Sequence, residues 1–69
     1  MNRVWRYVHG TSHGWYVDDG DVVLDAADRD SWPGTLMALL RLRGITVSEL
    51  EFVSSEDRAD FLADVGIPA

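Results

Sequence analysis

The sequence predicts a small α+β domain: a two-layer sandwich in which one mostly antiparallel sheet of about four strands is covered by two helices. Segments with the two-residue period of strands fill the first third of the chain, and amphipathic helical segments come later. Glycine- and aspartate-containing turns separate these segments. At 69 residues the chain has room for one compact core. Residues 1–69 are therefore expected to form a single domain with the order β-β-β-α-β-α.

The first strand is predicted over Arg3 to His9, where aromatic residues alternate with other residues and β-formers are frequent. A glycine-bracketed loop, GTSHG (residues 10–14), is expected to follow it. A domain of this size needs large buried side chains, so most of the aromatic residues are interpreted as core. That interpretation covers Trp5, Tyr7, Trp15 and Trp32, and an aromatic binding platform of these residues with Tyr16 is the alternative.

The second and third strands are predicted as a hairpin in WYVDDGDVVL, because Asp19-Gly20 lies between two β-rich runs and suits a type I′ turn. The turn sets the register and places on the core face Trp15, Val17, Val22 and Leu24. The opposite face is expected to present to solvent Tyr16, Asp18, Asp21, Val23 and Asp25. Asp18 and Asp21 would then face each other as like charges, a repulsion that a positive partner would relieve.

The first helix is predicted between Ser31, a candidate N-cap, and Gly44, which offers a left-handed stop. Pro33 suits the first turn, and the leucines that follow repeat on one face. The helix dipole favours acids before the N-terminus and bases in the last turn. The sequence has both, in Asp28, Asp30, Arg41 and Arg43.

The fourth strand is predicted over Thr46 to Val53, where Leu50 and Phe52 would share one side. A short helix is the alternative, because Ser48 and Glu51 have capping-box spacing. This segment therefore has two interpretations.

The second helix is predicted to begin at a cap on Ser54 or Ser55 and to end at Gly66 and Pro68. One face would combine Arg58, Phe61, Leu62 and Val65. Beside that face, an acidic stripe is expected at positions i, i+3 and i+7, formed by Asp57, Asp60 and Asp64.

The distribution of charge is the unusual feature of this sequence. Twelve acids stand against six arginines, with no lysine, for a net charge of −6. The acids fall in two blocks, residues 18–30 and 49–69, whereas residues 1–17 and 31–48 have arginine as their only charged residue type. Such a surface repels nucleic acid and anionic membranes and attracts basic surfaces. Acidity that serves solubility alone, or the composition of the source genome, is the alternative explanation.

Residue patterns for catalysis or metal binding are weak. The absence of cysteine removes disulfides, thiolate zinc sites and a cysteine nucleophile. An EF-hand loop is excluded, because Trp15 and Val17 would occupy its first and third positions. His9 and His13, with Asp19, are the remaining candidate metal ligands, for which two solvated loop histidines are the simpler explanation. No catalytic residue, metal ligand or cofactor is assigned.

Neither a targeting segment nor a membrane span is expected. The N-terminal MNRVWRYVHG has no continuous apolar region, and no apolar run approaches the length of a bilayer crossing. A soluble intracellular protein is the expectation.

In its size, its acidic segments VDDGDVVLDAADRD and ELEFVSSEDRADFLAD, and its lack of a catalytic motif, the chain resembles the small acidic anti-CRISPR proteins of phages and mobile elements. The likeness is greatest to inhibitors of type I systems, subtype I-C among them. The class has no common motif, so no family residue is carried over. The resemblance implies a non-enzymatic inhibitor in the cytoplasm of a bacterial host cell, which binds a Cascade subunit and blocks its target DNA.

The mechanism expected from the charge is DNA mimicry, in which carboxylates occupy a basic nucleic-acid-binding groove of another protein where phosphates would bind. Direct binding to nucleic acid or membrane is not expected. Tyr16 is included among the contacts because an exposed tyrosine stacks well on arginine. The predicted partner-binding residues are Tyr16, Asp18, Asp21, Asp25, Glu49, Glu51, Asp57, Asp60 and Asp64.

Two other functions stay open at this point. One is a non-mimic interaction module, antitoxin-like or oligomeric, with an apolar patch formed by Val4, Val8 and Tyr16. The other is a metal-dependent enzyme that uses His9, His13 and Asp19.

Overall fold

A computed structural model describes residues 2–67, and it consists of a four-stranded sheet with two α-helices against one face. The strands β1 to β4 span Arg3–His9, Ser12–Val17, Val22–Leu24 and Glu51–Phe52. The helices α1 and α2 span Trp32–Arg43 and Ser55–Val65. Short 3₁₀-helices occupy Ala26–Ser31 and Val47–Glu49. The α+β class and the order β-β-β-α-β-α are confirmed.

The sheet has the strand order β3-β2-β1-β4. Strands β1, β2 and β3 pair antiparallel through two hairpins. Strand β4 returns after α1 and pairs parallel with β1, through Arg3 opposite Glu51 and Val4 opposite Phe52. Parallel neighbours need a long crossover connection, which α1 supplies here. The sheet is therefore mixed, with mostly antiparallel pairing as expected.

The β1–β2 connection is shorter than predicted. Gly10 and Thr11 form a two-residue turn, in which Gly10 has a φ of 63°. A glycine at the first central position is what type II′ hairpin turns require. Strand β2 therefore starts at Ser12, and the prediction of a loop across residues 10–14 is wrong for residues 12–14.

The β2–β3 hairpin has the predicted register, with Trp15 opposite Leu24 and Val17 opposite Val22. Its turn differs in detail. The N–H of Gly20 donates to the carbonyl of Val17, and the N–H of Asp21 donates to the carbonyl of Asp18, each at 3.2 Å. Two overlapping turns therefore connect the strands.

Three consecutive turn residues have positive φ: 60° at Asp18, 58° at Asp19 and 93° at Gly20. Aspartate tolerates the left-handed region better than most residues. The extra left-handed residue takes Asp18 out of the strand alternation, and its side chain lies inward with only 6% of the residue exposed. The prediction that Asp18 lies on the solvent face is wrong for this reason.

Helix α1 begins and ends where the sequence predicts. Pro33 lies in its first turn, and Gly44 ends it with a φ of 67°. Ser31 occupies the N-cap position but makes no side-chain capping bond, because the preceding 3₁₀-helix already holds it in helical φ and ψ. The side-chain cap lies at the start of that 3₁₀-helix, where the Asp25 carboxylate accepts from the N–H of Ala27 at 2.9 Å.

The prediction of a strand over residues 46–53 is wrong for most of that segment. A 3₁₀-helix forms first, and the Glu49 carboxylate accepts from the N–H of Thr46 at 3.2 Å. The alternative of a short helix is confirmed. Its capping pair is Thr46 and Glu49, two residues before the predicted Ser48 and Glu51. Only Glu51–Phe52 joins the sheet, while Leu50 is buried in the core.

Helix α2 has the predicted cap and stop. The Ser54 hydroxyl accepts from the N–H of Asp57 at 3.1 Å, and Gly66 ends the helix with a φ of 76°. Pro68, which was also predicted to end it, lies outside the described residues.

The core lies between the helices and one face of the sheet. It contains Val4, Trp15, Val17, Leu24, Trp32, Leu36, Leu39, Leu40, Leu50, Phe61, Leu62 and Val65. Trp15 meets the edge of the Phe61 ring at a centroid distance of 5.2 Å. The Trp32 indole donates to the carbonyl of Asp25 at 2.8 Å, which satisfies its polar atom. Trp15 and Trp32 are thus core residues as predicted, and no helix of residues 2–67 lies on the other face of the sheet.

Candidate functional site

The uncovered side of the sheet carries a row of aromatic side chains. Alternate strand residues point to opposite faces, so the residues that alternate with core residues along β1, β2 and β3 point away from the helices. The ladder places Trp5 opposite Tyr16, and Tyr16 opposite Val23. We call this surface the open face and define it by Trp5, Tyr7, Tyr16 and Val23.

The three rings of the open face contact one another. Tyr16 lies in the middle, with its ring centroid 5.6 Å from that of Trp5 and 4.7 Å from that of Tyr7. All three side chains are partly exposed. The interpretation of Trp5 and Tyr7 as core residues is wrong, because in β1 they alternate with Val4, which is fully buried.

The position of Tyr7 depends on the residue opposite it, Gly14. A Cβ at Gly14 would lie 2.8 Å from a carbon of the Tyr7 ring and 2.0 Å from the carbonyl oxygen of Leu24. The Tyr7 ring therefore lies over bare backbone, an arrangement that a side chain at residue 14 would prevent. Glycine is required here for close approach, since its φ is not positive.

An open pocket of about 370 Å³ lies at one end of the open face. It is lined by Tyr7, Val8, His9, Ser12, Tyr16, Val23 and Asp25. Asp25 supplies the one carboxylate of this lining. Partial burial raises the pKa of the Tyr7 hydroxyl above its ordinary value, and the charge of Asp25 and a hydrogen bond with it raise this pKa further.

The acidic stripe of α2 faces arginines of the same chain. Arg6 contacts Asp60 at 2.5 Å and Asp57 at 3.4 Å. Asp64 accepts from the Trp15 indole and from Arg29, each at 3.1 Å. The structure therefore brings the three aspartates together as predicted along the helix, but two arginines compensate part of their charge.

Two acids of the β2–β3 hairpin, Asp18 and Asp21, share one arginine of the chain. Arg43, in the last turn of α1, forms ion pairs with Asp18 and with Asp21, the second at 3.6 Å. The sequence predicted that a positive partner would relieve the repulsion between these two carboxylates. In the structure, Arg43 of the same chain does so.

The nine predicted partner-binding residues thus separate into three groups. Paired with arginines of the chain are Asp18, Asp21, Asp57, Asp60 and Asp64. Glu49 caps a 3₁₀-helix. On the uncovered side of the sheet lie Tyr16, Asp25 and Glu51. From the sequence, a core position was favoured for Trp5 and Tyr7 over an aromatic binding platform. The signal for the surface position of Tyr7 was Gly14, which lies opposite it when β1 and β2 pair across a two-residue turn.

The residues of the two alternative functions are not brought together. His9 and His13 point to opposite faces, since Ser12 and Val8 are their respective partners in the ladder. Among residues 2–67, no three histidine or carboxylate side chains are grouped so that they could hold a metal ion. The apolar patch is also incomplete, because Val4 is in the core.

Neither helix of residues 2–67 has the length and apolar character needed to cross a membrane.

Comparisons with protein-family models, with curated proteins and with solved structures gave no match for this chain. The open face and its pocket are therefore the features from which a function can be argued.

Proposed function

We propose that the chain is a non-enzymatic binding domain that docks its open face onto a basic surface of another protein. One observation carries the proposal: three contacting aromatic rings lie uncovered on the sheet, beside the carboxylate of Asp25. Aromatic side chains are enriched at the centres of protein interfaces, where they bury much area with little loss of conformational entropy.

Charge supports a basic partner. The chain has twice as many acids as arginines. Among the described residues, Arg6, Arg29 and Arg43 are already engaged by carboxylates of the chain, so the unpaired charge is mostly negative. A molecule with a net charge of −6 attracts a positive surface over a distance of about a Debye length, roughly 8 Å at physiological ionic strength.

The partner can be named more specifically. We propose a nucleic-acid-binding protein in the cytoplasm of a bacterial cell, with a type I Cascade subunit as the candidate that the anti-CRISPR resemblance implies. The chain would cover the basic groove with its open face. Since Asp57, Asp60 and Asp64 are paired with arginines of the chain, the proposal relies on occlusion of the groove more than on a copy of the spacing of phosphates.

A charge placed on the open face tests the docking. Val23 is 48% exposed on the open face, and Leu42 is 79% exposed on α1, so each accepts an arginine without loss of core packing. Tagged wild-type protein, Val23→Arg and Leu42→Arg are used to capture partners from bacterial lysate, with elution by increasing salt. We expect a basic protein to bind the wild type and Leu42→Arg, to be lost with Val23→Arg, and to elute as salt rises.

Two outcomes would overturn the docking proposal: capture of no protein by any of the three baits, or equal capture by Val23→Arg and the wild type. The identity of the partner as Cascade is tested separately. Purified type I Cascade and labelled target DNA are mixed with the chain, and we expect the wild type and Leu42→Arg to prevent DNA binding. Undiminished DNA binding with saturating wild-type protein would reject Cascade as the partner.

A further inference from the structure

The pocket at the end of the open face combines two ring faces with one carboxylate. Tyr7 and Tyr16 form one wall, and Asp25 stands beside Tyr7. Aromatic faces attract cations through the quadrupole of the ring, and a carboxylate adds a directed ion pair. The lining therefore fits a ligand that is both flat and positively charged.

An aromatic ring beside a carboxylate occurs twice elsewhere in this fold, each time with an arginine that contacts both. Arg6 lies over the Trp15 ring, with its guanidinium carbon 4.7 Å from the centroid, and pairs with Asp60. Arg29 lies over Trp32 at 5.3 Å and pairs with Asp64. In both cases one arginine is shared between a ring and an aspartate.

The pocket has the ring and the aspartate without an arginine. Within residues 2–67, no arginine stacks on Tyr7 or Tyr16 and none forms an ion pair with Asp25. An ionised carboxylate has about four acceptor positions. One oxygen of Asp25 receives the N–H of Ala27 at 2.9 Å. Acceptor capacity is left for a donor from outside the chain.

We propose that this pocket receives the guanidinium group of a single arginine from the partner protein, stacked on the tyrosine rings and paired with Asp25. The assignment rests on the docking function proposed above and names the residue type that the open face recognises.

The ring geometry decides how the cation is held. The Tyr7 and Tyr16 centroids are 4.7 Å apart with the rings tilted by 38°. A planar group inserted between two rings needs roughly 7 Å, twice the van der Waals separation. The guanidinium must therefore stack on the outer ring faces. An enclosing aromatic cage, which suits quaternary ammonium groups, is not formed here.

Short blocked peptides test the pocket directly: Gly-Arg-Gly, its citrulline analogue and Gly-Lys-Gly, each titrated into ¹⁵N-labelled protein and followed by NMR. Citrulline keeps the shape of arginine without the charge, and lysine keeps the charge without the plane. We expect the arginine peptide to shift the signals of Tyr7, Tyr16 and Asp25, the lysine peptide to bind about fivefold more weakly, and the citrulline peptide not to bind. Equal binding of arginine and citrulline would overturn the proposal.

A matched pair of variants separates the site from the overall charge. Asp25→Asn and Asp30→Asn each remove one negative charge, and asparagine keeps the capping function at residue 25. We expect Asp25→Asn to weaken the arginine peptide about tenfold, as loss of a charge-assisted pair of about 1.4 kcal/mol does, and Asp30→Asn to leave it unchanged. Equal weakening by both variants would show a net-charge effect and would contradict the pocket.

Failure of the pocket and failure of the docking function look different. A partner that Val23→Arg loses but Asp25→Asn binds normally would retain the docking function and reject the arginine pocket. Arginine-peptide binding that Asp25→Asn abolishes, without any partner captured through the open face, would retain the pocket and reject the docking. A concentration-dependent dimer that Val23→Arg dissociates would overturn both, because a second copy would then cover the open face.

Discussion

At the scale of single residues, the clearest constraint lies under the open face. Tyr7 rests on the backbone of Gly14, and Gly14 in turn lies against the carbonyl of Leu24. Gly34, near the start of α1, has no atoms within 4 Å of the place where a Cβ would be. The two glycines therefore differ in what a methyl group would meet.

We expect Gly14→Ala to destabilise the protein by about 1–3 kcal/mol, because the new methyl group would have to displace both the Tyr7 ring and a strand carbonyl. Gly34→Ala is the control, and we expect it to leave stability unchanged or to raise it by up to about 1 kcal/mol through helix propensity. Urea denaturation of the two variants measures the difference. Equal midpoints for Gly14→Ala and the wild type would contradict the close packing at residue 14.

The sequence alone did not determine whether the aromatic residues of β1 face the core or the open face. Tyr16 was predicted on the solvent face because the Asp19-Gly20 turn fixes its parity against Trp15. Before β2 the sequence predicted a longer loop, residues 10–14. A loop of that length does not determine which residues of β1 lie opposite the core residues of β2. The Gly10-Thr11 turn supplies that information and places Trp5 and Tyr7 on the open face.

At the scale of elements, the β2–β3 turn and the end of α1 are joined through one ion pair. Asp18 is 6% exposed and is held by Arg43, whose side chain is 43% exposed. Removal of one partner of a buried pair leaves a desolvated charge, although partial exposure of the guanidinium reduces the effect here. This contact ties the hairpin to the helix layer.

We expect Arg43→Met to cost about 1–3 kcal/mol, since it leaves the Asp18 carboxylate without its partner. Arg41→Met, in the same helix turn, is the control and should change stability by less than about 0.5 kcal/mol, because no ion pair involves Arg41 within residues 2–67. Asp18→Asn keeps the left-handed conformation and should make the Arg43→Met change smaller. Additive losses in this double-mutant cycle would show that the pair contributes nothing.

Element types were well predicted where a cap or a left-handed stop marks the boundary. Ser54, Gly44 and Gly66 act as the sequence indicates. The segment 46–53 was misassigned because its alternation of apolar and acidic residues also fits a 3₁₀-helix followed by a short strand. Local hydrogen bonds from side chains to the backbone decided the outcome, as the contact from Thr46 to Glu49 shows.

At the scale of the whole molecule, the charge blocks of the sequence are complementary in space. In residues 1–17, Arg6 pairs with Asp57 and Asp60, which belong to block 49–69. Arg43 of residues 31–48 pairs with acids of block 18–30. The order of charge along the chain could not show this pairing, because the contacts join residues far apart in sequence.

The excess negative charge should act on the rate at which a basic partner associates. Asp28 and Asp30 are exposed and form no ion pair within the described residues. We expect the double variant Asp28→Asn/Asp30→Asn to slow association with the captured partner, and Arg41→Met, which makes the net charge more negative, to speed it, with little change in dissociation for either. Surface plasmon resonance at low and high salt measures both rates. Association rates that ignore salt and both variants would contradict electrostatic attraction of the partner.

The alternation along β1 also has an evolutionary consequence. Val4 is fully buried against the helices, whereas Trp5 and Tyr7 lie partly exposed on the open face. Neighbouring positions of one strand are therefore under two kinds of selection, one for folding and one for recognition. If the open face binds a partner as proposed, Trp5 and Tyr7 can change as that partner changes while Val4 stays fixed, so that one seven-residue strand records two separate histories.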